Sequence, residues 1–528
     1  MRHNLMLLPI CLMLAGCTAP AQQTTPNTTA AREPAPSAQT QTDPASATSE
    51  TAGQAARPLT PDTLAKLLAI TNERRDQIIK PEPDTDQVSD WKIGDLEPTF
   101  DISSVEMDFR PSFSESDIYT PEQAKADLDY LFYFYELGYG PYFYFGGKEA
   151  FDGAKAAILA DLEQMDEITA PAFEASLIKH LSFVEDAHFV INQNYNHPRP
   201  QGYLTDLSFF RDSLGFTESE SGKRVTAING HETFADDMVL SVSPSGQISY
   251  RYCVMTEEQP APSTVKYEDE TTVNTAFFSS HEAAAKPEER EDIVSFTRID
   301  DIPVITVTSM GFPHANDDGE ANKFLELATE LKDEPVLIID LRHNNGGNGL
   351  LPQMWYEAYT GSYMTPNHYN LFRMDLYNAF DVKLSDPDPE SFYYIPANVN
   401  EHYTHPQTIN ESWSLQKSDP RQVIDNDRLL IILTSKSTAS AADNFTDLAF
   451  NVKNSLVIGS NTTGMVVSSA ALGIKMPNSG MVGQMGFNLS VFDSHHFQEG
   501  TGLKPDLWAS GNALEAGLSL AKQHLNEQ

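Results

Sequence analysis

The sequence predicts an α/β protein whose C-terminal part holds a largely parallel sheet, preceded by a helical segment and a small β-rich module. Three observations carry this. From about residue 301 onward, apolar strand-like runs alternate with helical patterns (303–308, 321–331, 336–340, 350–359, 429–433, 440–452, 456–459), the order a parallel sheet with crossover helices requires. Two of those runs, Val336-Leu337-Ile338-Ile339-Asp340 and Leu429-Leu430-Ile431-Ile432-Leu433, are almost wholly apolar, as strands covered on both faces are. Before them the period differs: Arg224-Val225-Thr226-Ala227-Ile228-Asn229-Gly230 reads as strand then turn, and 247–254 alternates like a second strand.

The elements follow in chain order. Arg2 and His3 precede an apolar run over 5–14 that ends in Leu14-Ala15-Gly16-Cys17. The run is too short to span a bilayer and has the charged-then-apolar layout of a secretory signal. Cysteine directly after Leu-Ala-Gly resembles the lipobox of bacterial lipoproteins. The resemblance implies a signal peptide over 1–16, removal before Cys17, and diacylglycerol on the Cys17 thiol. Thr18 follows, and the lack of Asp there implies, by the same resemblance, sorting to the outer membrane, facing the periplasm. Residues 18–57 are Thr, Ala, Pro, Ser and Gln with few large apolar residues. They cannot bury enough surface to offset their ordering entropy, so 17–57 reads as a lipidated cysteine and a disordered tether. An N-terminal extension, 58–120, begins with helical spacing over 59–79 and suggests no function. Helical patterns fill 121–195, with Thr120 and Pro121 at the first helix start. The β-rich module is placed at 196–300 and the α/β core at 301–528.

At 528 residues several domains are expected. The net charge of −40 argues against nucleic acid, whose phosphates it would repel. After loss of Cys11 and acylation of Cys17, Cys253 stands alone, so no intrachain disulfide can form. His197, His281 and His343 form no spaced metal motif, and neither metal nor cofactor is expected.

The chemistry concentrates where the two apolar strands end. Val336–Asp340 runs into Leu341-Arg342-His343-Asn344-Asn345-Gly346-Gly347, a loop of unhindered backbone amides. The second strand runs into Ser437-Thr438-Ala439-Ser440-Ala441-Ala442-Asp443. Ser440 there opens a helix with Phe445, Leu448, Ala449 and Val452 on its apolar face, so its hydroxyl sits beside free amides. Serine at such a place is also a common helix cap, and Ser435 and Ser437 lie nearby. A serine beside free amides is half of a serine hydrolase.

Asp340-Leu-Arg342-x-Asn344-x-Gly346-Gly347 resembles the D-L-R-x-N-x-G-G signature of the tail-specific (carboxy-terminal processing) serine peptidases. Ser437-Thr-Ala-Ser440-Ala-Ala-Asp443 resembles their S-x-A-S-A-x-E segment, with Asp for Glu. The resemblance covers roughly 120–510. It implies a ClpP/crotonase-like α/β core, a PDZ-like region within the β module, Ser440 as nucleophile, and an oxyanion hole from the amides of Gly346 or Gly347 with Ala441. The family's best-known branch places a lysine base in a T-x-G-K-G turn. Here that turn reads Thr462-Thr463-Gly464-Met465-Val466, and Met465 cannot be a base. Glu185-Asp186-Ala187-His188-Phe189 instead resembles the D-x-H-T motif of the branch that includes the tricorn core peptidase. Glu499-Gly500-Thr501-Gly502-Leu503-Lys504-Pro505-Asp506 resembles that branch's E-x-x-G-V-x-P-D stretch. The resemblance implies His188 as general base and Glu499 as the carboxylate that orients it. Lys475, His495 and His496 remain alternative bases. The expectation is an envelope-anchored serine peptidase acting on peptides or proteins through Ser440, His188 and Glu499. The alternatives are an inactive binding or scaffold lipoprotein of the same fold and an esterase using the same triad.

Overall fold

The computed structural model describes residues 61–527, apart from 62, 95, 97–99, 101–104, 106–109, 196–197, 281–291, 312–317, 381–406, 417 and 470. The signal segment, Cys17 and the tether lie outside the described residues. No helix among the described residues is long and apolar enough to cross a membrane.

The centre is a 12-stranded mixed sheet. Strands Ile302–Val307, Val336–Asp340, Leu429–Thr434, Ser455–Gly459, Leu507–Ala509 and Met238–Val242 are successive parallel neighbours. The two apolar runs are adjacent, and every residue of both is buried. Alternate residues of each point to opposite faces. Ile338, Ile431 and Leu433 pack under the helices Leu64–Arg75 and Ala513–Glu527. Leu337, Ile339, Leu430 and Ile432 pack under Asp318–Leu331, Leu351–Thr360 and Ala441–Ala449. Full burial of each such side chain contributes roughly 1.5–3 kcal/mol. Apolar residues on both sides of a strand therefore force this three-layer arrangement.

The β-rich segment extends the central sheet. Gln201–Thr205, Met238–Val242, Ile248–Thr256, Phe277–Ser279 and Val294–Ile299 all join the central sheet. A parallel core leaves open edges that need partners, and the mostly antiparallel strands of this segment supply them. Val225–Ile228, Ser263–Tyr267 and Thr272–Thr275 form a small three-stranded sheet of their own.

The helical segment holds Pro121–Gly138, Gly147–Glu163 and Ala170–His180. Thr120 caps the first: its hydroxyl accepts the Gln123 N–H and the Gln123 side chain accepts the Thr120 N–H. Buried Asp127 fastens this helix to the hairpin 471–486, accepting the amides of Asn478 (2.9 Å) and Ser479 (2.7 Å). The helix Leu64–Arg75 of the N-terminal extension is pinned to the core. Arg75, 1 % exposed, pairs with Asp506 at 2.8 Å, and Asp506 also accepts the Val457 amide. The Pro505-Asp506 pair is thus a structural anchor.

Candidate active site

In-register pairing brings the two strand-end loops together. Asp340 lies opposite Leu433, so both loops leave at the same, C-terminal, end of their strands, where parallel sheets form clefts. The Leu341 amide donates to Leu433, and the Thr438 hydroxyl donates to the Leu341 carbonyl at 2.9 Å. Asn344, fully buried, closes its own loop by accepting the Gly346 N–H at 2.9 Å, while its carbonyl accepts the Ala439 N–H at 3.0 Å.

Ser440 caps the helix Ala441–Ala449 with φ +55° and ψ −113°. A non-glycine residue held there stores on the order of 1–3 kcal/mol of strain. Buried Asp443 holds it: its carboxylate accepts the Ser440 N–H at 2.6 Å, the Gly464 N–H at 3.2 Å and the Met465 N–H at 3.1 Å. Met465 therefore serves, through its backbone amide, to fix the serine loop. Burial raises the Asp443 pKa, and these hydrogen bonds oppose the rise.

His188 reaches Ser440 from a distant part of the sequence. Its Nε2 lies 3.2 Å from the Ser440 Oγ. Strand Val190–Ile191, just after it, pairs with the hairpin strand Val482–Gly486, and the Gln484 amide donates to the His188 carbonyl. Before it, Asp186 accepts the His188 N–H at 2.9 Å and the Tyr139 hydroxyl at 2.8 Å. Burial lowers the His188 pKa below the ordinary histidine value; Asp186 and the Ser468 backbone oppose this, and Arg199 adds to it. A neutral imidazole beside a hydroxyl can take its proton.

Glu499 is half-buried, and its hydrogen-bond partners differ from the expected one. Its carboxylate accepts three backbone amides, Ala187 at 2.7 Å, Val466 at 2.8 Å and Val467 at 2.7 Å. No bond joins it to the imidazole, whose Nδ1 has no hydrogen-bond partner of good geometry among the described residues. The physical reason is the cluster of buried donors: three amides outcompete one ring nitrogen for two oxygens. Burial and the Asp186 carboxylate raise its pKa. Glu499 thus holds the backbone beside His188 in place of the ring itself.

The expected oxyanion donors also separate. The Gly346 amide is already given to Asn344, a two-residue loop closure that removes it as a donor. Gly346 matters for space: a Cβ there would lie 2.7 Å from the Ser440 Cβ. The amides of Gly347 and Ala441 have no partner among the described residues. Of the alternative bases, His496 is bound to Asp447 at 2.7 Å, and Lys475 ends the hairpin strand Ala471–Lys475. Among the described residues no group of three His, Cys, Asp or Glu side chains is placed to hold a metal ion, and Cys253 is a buried free thiol.

Residues 301–508 match peptidase family S41. The α/β core is a family S41 peptidase domain. The match covers that span and not the whole chain, and the span is a serine-type peptidase domain. Mature CPAF complexed with lactacystin is 14 % identical, with 77 % of this chain and 97 % of that one covered and a TM-score of 0.37. The photosystem II D1 C-terminal processing protease is 12 % identical over 73 % and 92 % of the two chains, with a TM-score of 0.31. A lipoprotein from Streptococcus agalactiae is 13 % identical over 77 % and 99 %, with a TM-score of 0.34. No curated protein matches the chain.

Two contributors were not singled out in the sequence. Tyr139 lies in an aromatic run that reads as packing. Lys436 sits four residues before Ser440, with no spacing signal to mark it.

Proposed function

We propose that this chain is a cell-envelope serine peptidase that cleaves peptide bonds with Ser440 as nucleophile and His188 as general base. The observation that carries it is the 3.2 Å approach of His188 Nε2 to Ser440 Oγ, made between residues 252 apart in sequence. Ser440 attacks the scissile carbonyl while His188 takes its proton. The Gly347 and Ala441 amides stabilise the oxyanion. His188 then returns the proton to the leaving amine, and a water activated by the same imidazole releases the acyl group. Glu499 and Asp186 fix the backbone that presents the ring. An N-terminal lipid on Cys17 would hold the enzyme at the outer membrane, facing the periplasm, with residues 18–57 as its tether.

The test is hydrolysis of a peptide library by the wild type and by Ser440→Ala. Peptide cleavage lost in Ser440→Ala supports the reading. Cleavage of esters alone would replace it with an esterase, and an inert wild type would replace it with a binding protein. Membrane recovery of the wild type, lost in Cys17→Ala, tests the anchor.

A further inference from the structure

Lys436 is a charged group on the nucleophile's own loop, four residues before Ser440. Its side chain turns inward from the nucleophile's own loop, and its Nζ donates to three backbone carbonyls, Gly500 at 2.6 Å, Thr463 at 3.3 Å and Thr462 at 3.4 Å. Its own carbonyl accepts the Thr463 hydroxyl at 2.6 Å, and the Thr463 amide donates to Thr438 at 2.8 Å. Gly500 follows Glu499, and its amide donates to Gly464 at 2.8 Å. One ammonium thus joins the loop of Ser440, the turn that Asp443 binds, and the loop that carries Glu499. Glu499 in turn accepts the amide of Ala187, the residue before His188.

Building on the functional reading above, we propose that Lys436 is a positioning residue for peptide hydrolysis: its ammonium locks the Thr462–Thr463 turn and the Glu499–Gly500 loop against the Ser440 loop, and so sets the approach of His188 to Ser440. The cage consists of carbonyl oxygens, which bind a three-proton ammonium better than an amine with two. The charged groups around it come from every packed element. Asp443 lies on the nucleophile helix, Glu499 on the C-terminal loop, and Arg199 and Glu257 on the β-rich segment. Asp443 is itself buried, so the ammonium also offsets negative charge that water cannot screen. Burial, opposed by the acids and aided by Arg199, lowers the Lys436 pKa to about 7. The charged form is therefore present below that value and lost above it. Activity should fall on the alkaline side as Lys436 deprotonates, while the acid side reports His188.

The experiment is the pH profile of kcat and KM for peptide hydrolysis by the full chain, in wild type, Lys436→Arg and Lys436→Met. Arginine keeps its charge at all working pH values. The expected results are an alkaline fall in the wild type that Lys436→Arg moves upward, and a loss in Lys436→Met of about tenfold or more in kcat. KM in Lys436→Met should change by less than about twofold, because the substrate is not touched. If Lys436→Met does not fold, Lys436→Arg decides alone. An alkaline limb that neither variant alters, in an active enzyme, overturns the role of Lys436 and leaves the Ser440–His188 reading standing. A wild type inert to both peptide and a serine-directed fluorophosphonate overturns that reading, and this one with it.

Discussion

Replacing Asp443 with Asn tests how the nucleophile is held. The Asp443 carboxylate accepts the amides of Ser440, Gly464 and Met465, with one oxygen serving Ser440 and Met465 and the other serving Gly464. An Asn side chain has one acceptor oxygen. With that oxygen toward Ser440 and Met465, the new NH2 meets the Gly464 N–H donor to donor, leaving a buried amide unpaired at about 1–3 kcal/mol. The two retained bonds lose their charge assistance, roughly half their strength. Together these come to about 2–4 kcal/mol, the same size as the strain stored in the Ser440 backbone, on the order of 1–3 kcal/mol. Ser440 should therefore relax from its φ of +55°. At about 1.4 kcal/mol per factor of ten, kcat/KM should fall on the order of 10²-fold. Urea denaturation measures the stability and peptide hydrolysis the rate. An unchanged urea midpoint with kcat/KM within about twofold of wild type would refute the clamp.

Other outcomes follow from the same geometry. Gly346→Ala should abolish activity in peptide assays, because the added Cβ would lie 2.7 Å from the Ser440 Cβ and 2.8 Å from the Ala439 carbonyl. Met465→Ala should leave kcat/KM near wild type, since only the backbone amide of Met465 is bound by Asp443. The acid limb of activity should lie below the ordinary histidine value, because burial keeps His188 neutral. His368 is buried with its pKa lowered to about 4. An unfolded chain then binds the extra proton first, so stability should fall as pH drops from about 6.5 to about 4, by up to about 3 kcal/mol. His368→Leu should flatten that slope in urea midpoints measured across the window.

Much of this was legible in the chain. The apolar runs 336–340 and 429–433 announced strands buried on both faces, and Thr120-Pro121 announced a capped helix. Asp186-x-His188 marked a histidine that packing then delivered to Ser440 by pairing Val190–Ile191 with a hairpin nearly 300 residues later in the chain. What the sequence hid was partner choice. Alternation identified strands in 196–300 but not that the core's open edge would claim them. Glu499 was visible as a carboxylate, yet three amides from two loops took its oxygens, a competition that depends on loop paths alone. Gly346 looked like a donor until Asn344, two residues before it, used its N–H. Lys436 carried no spacing signal, because its partners are carbonyls, which every residue has.

The most direct measurement is the rate at which a fluorophosphonate modifies Ser440, followed by mass spectrometry across pH in wild type and His188→Ala. The account predicts modification of Ser440 alone, at a rate that rises with pH through a histidine ionisation below about 6.5 and is lost in His188→Ala. Modification of another serine, or an equal rate at Ser440 in a folded His188→Ala, would contradict it.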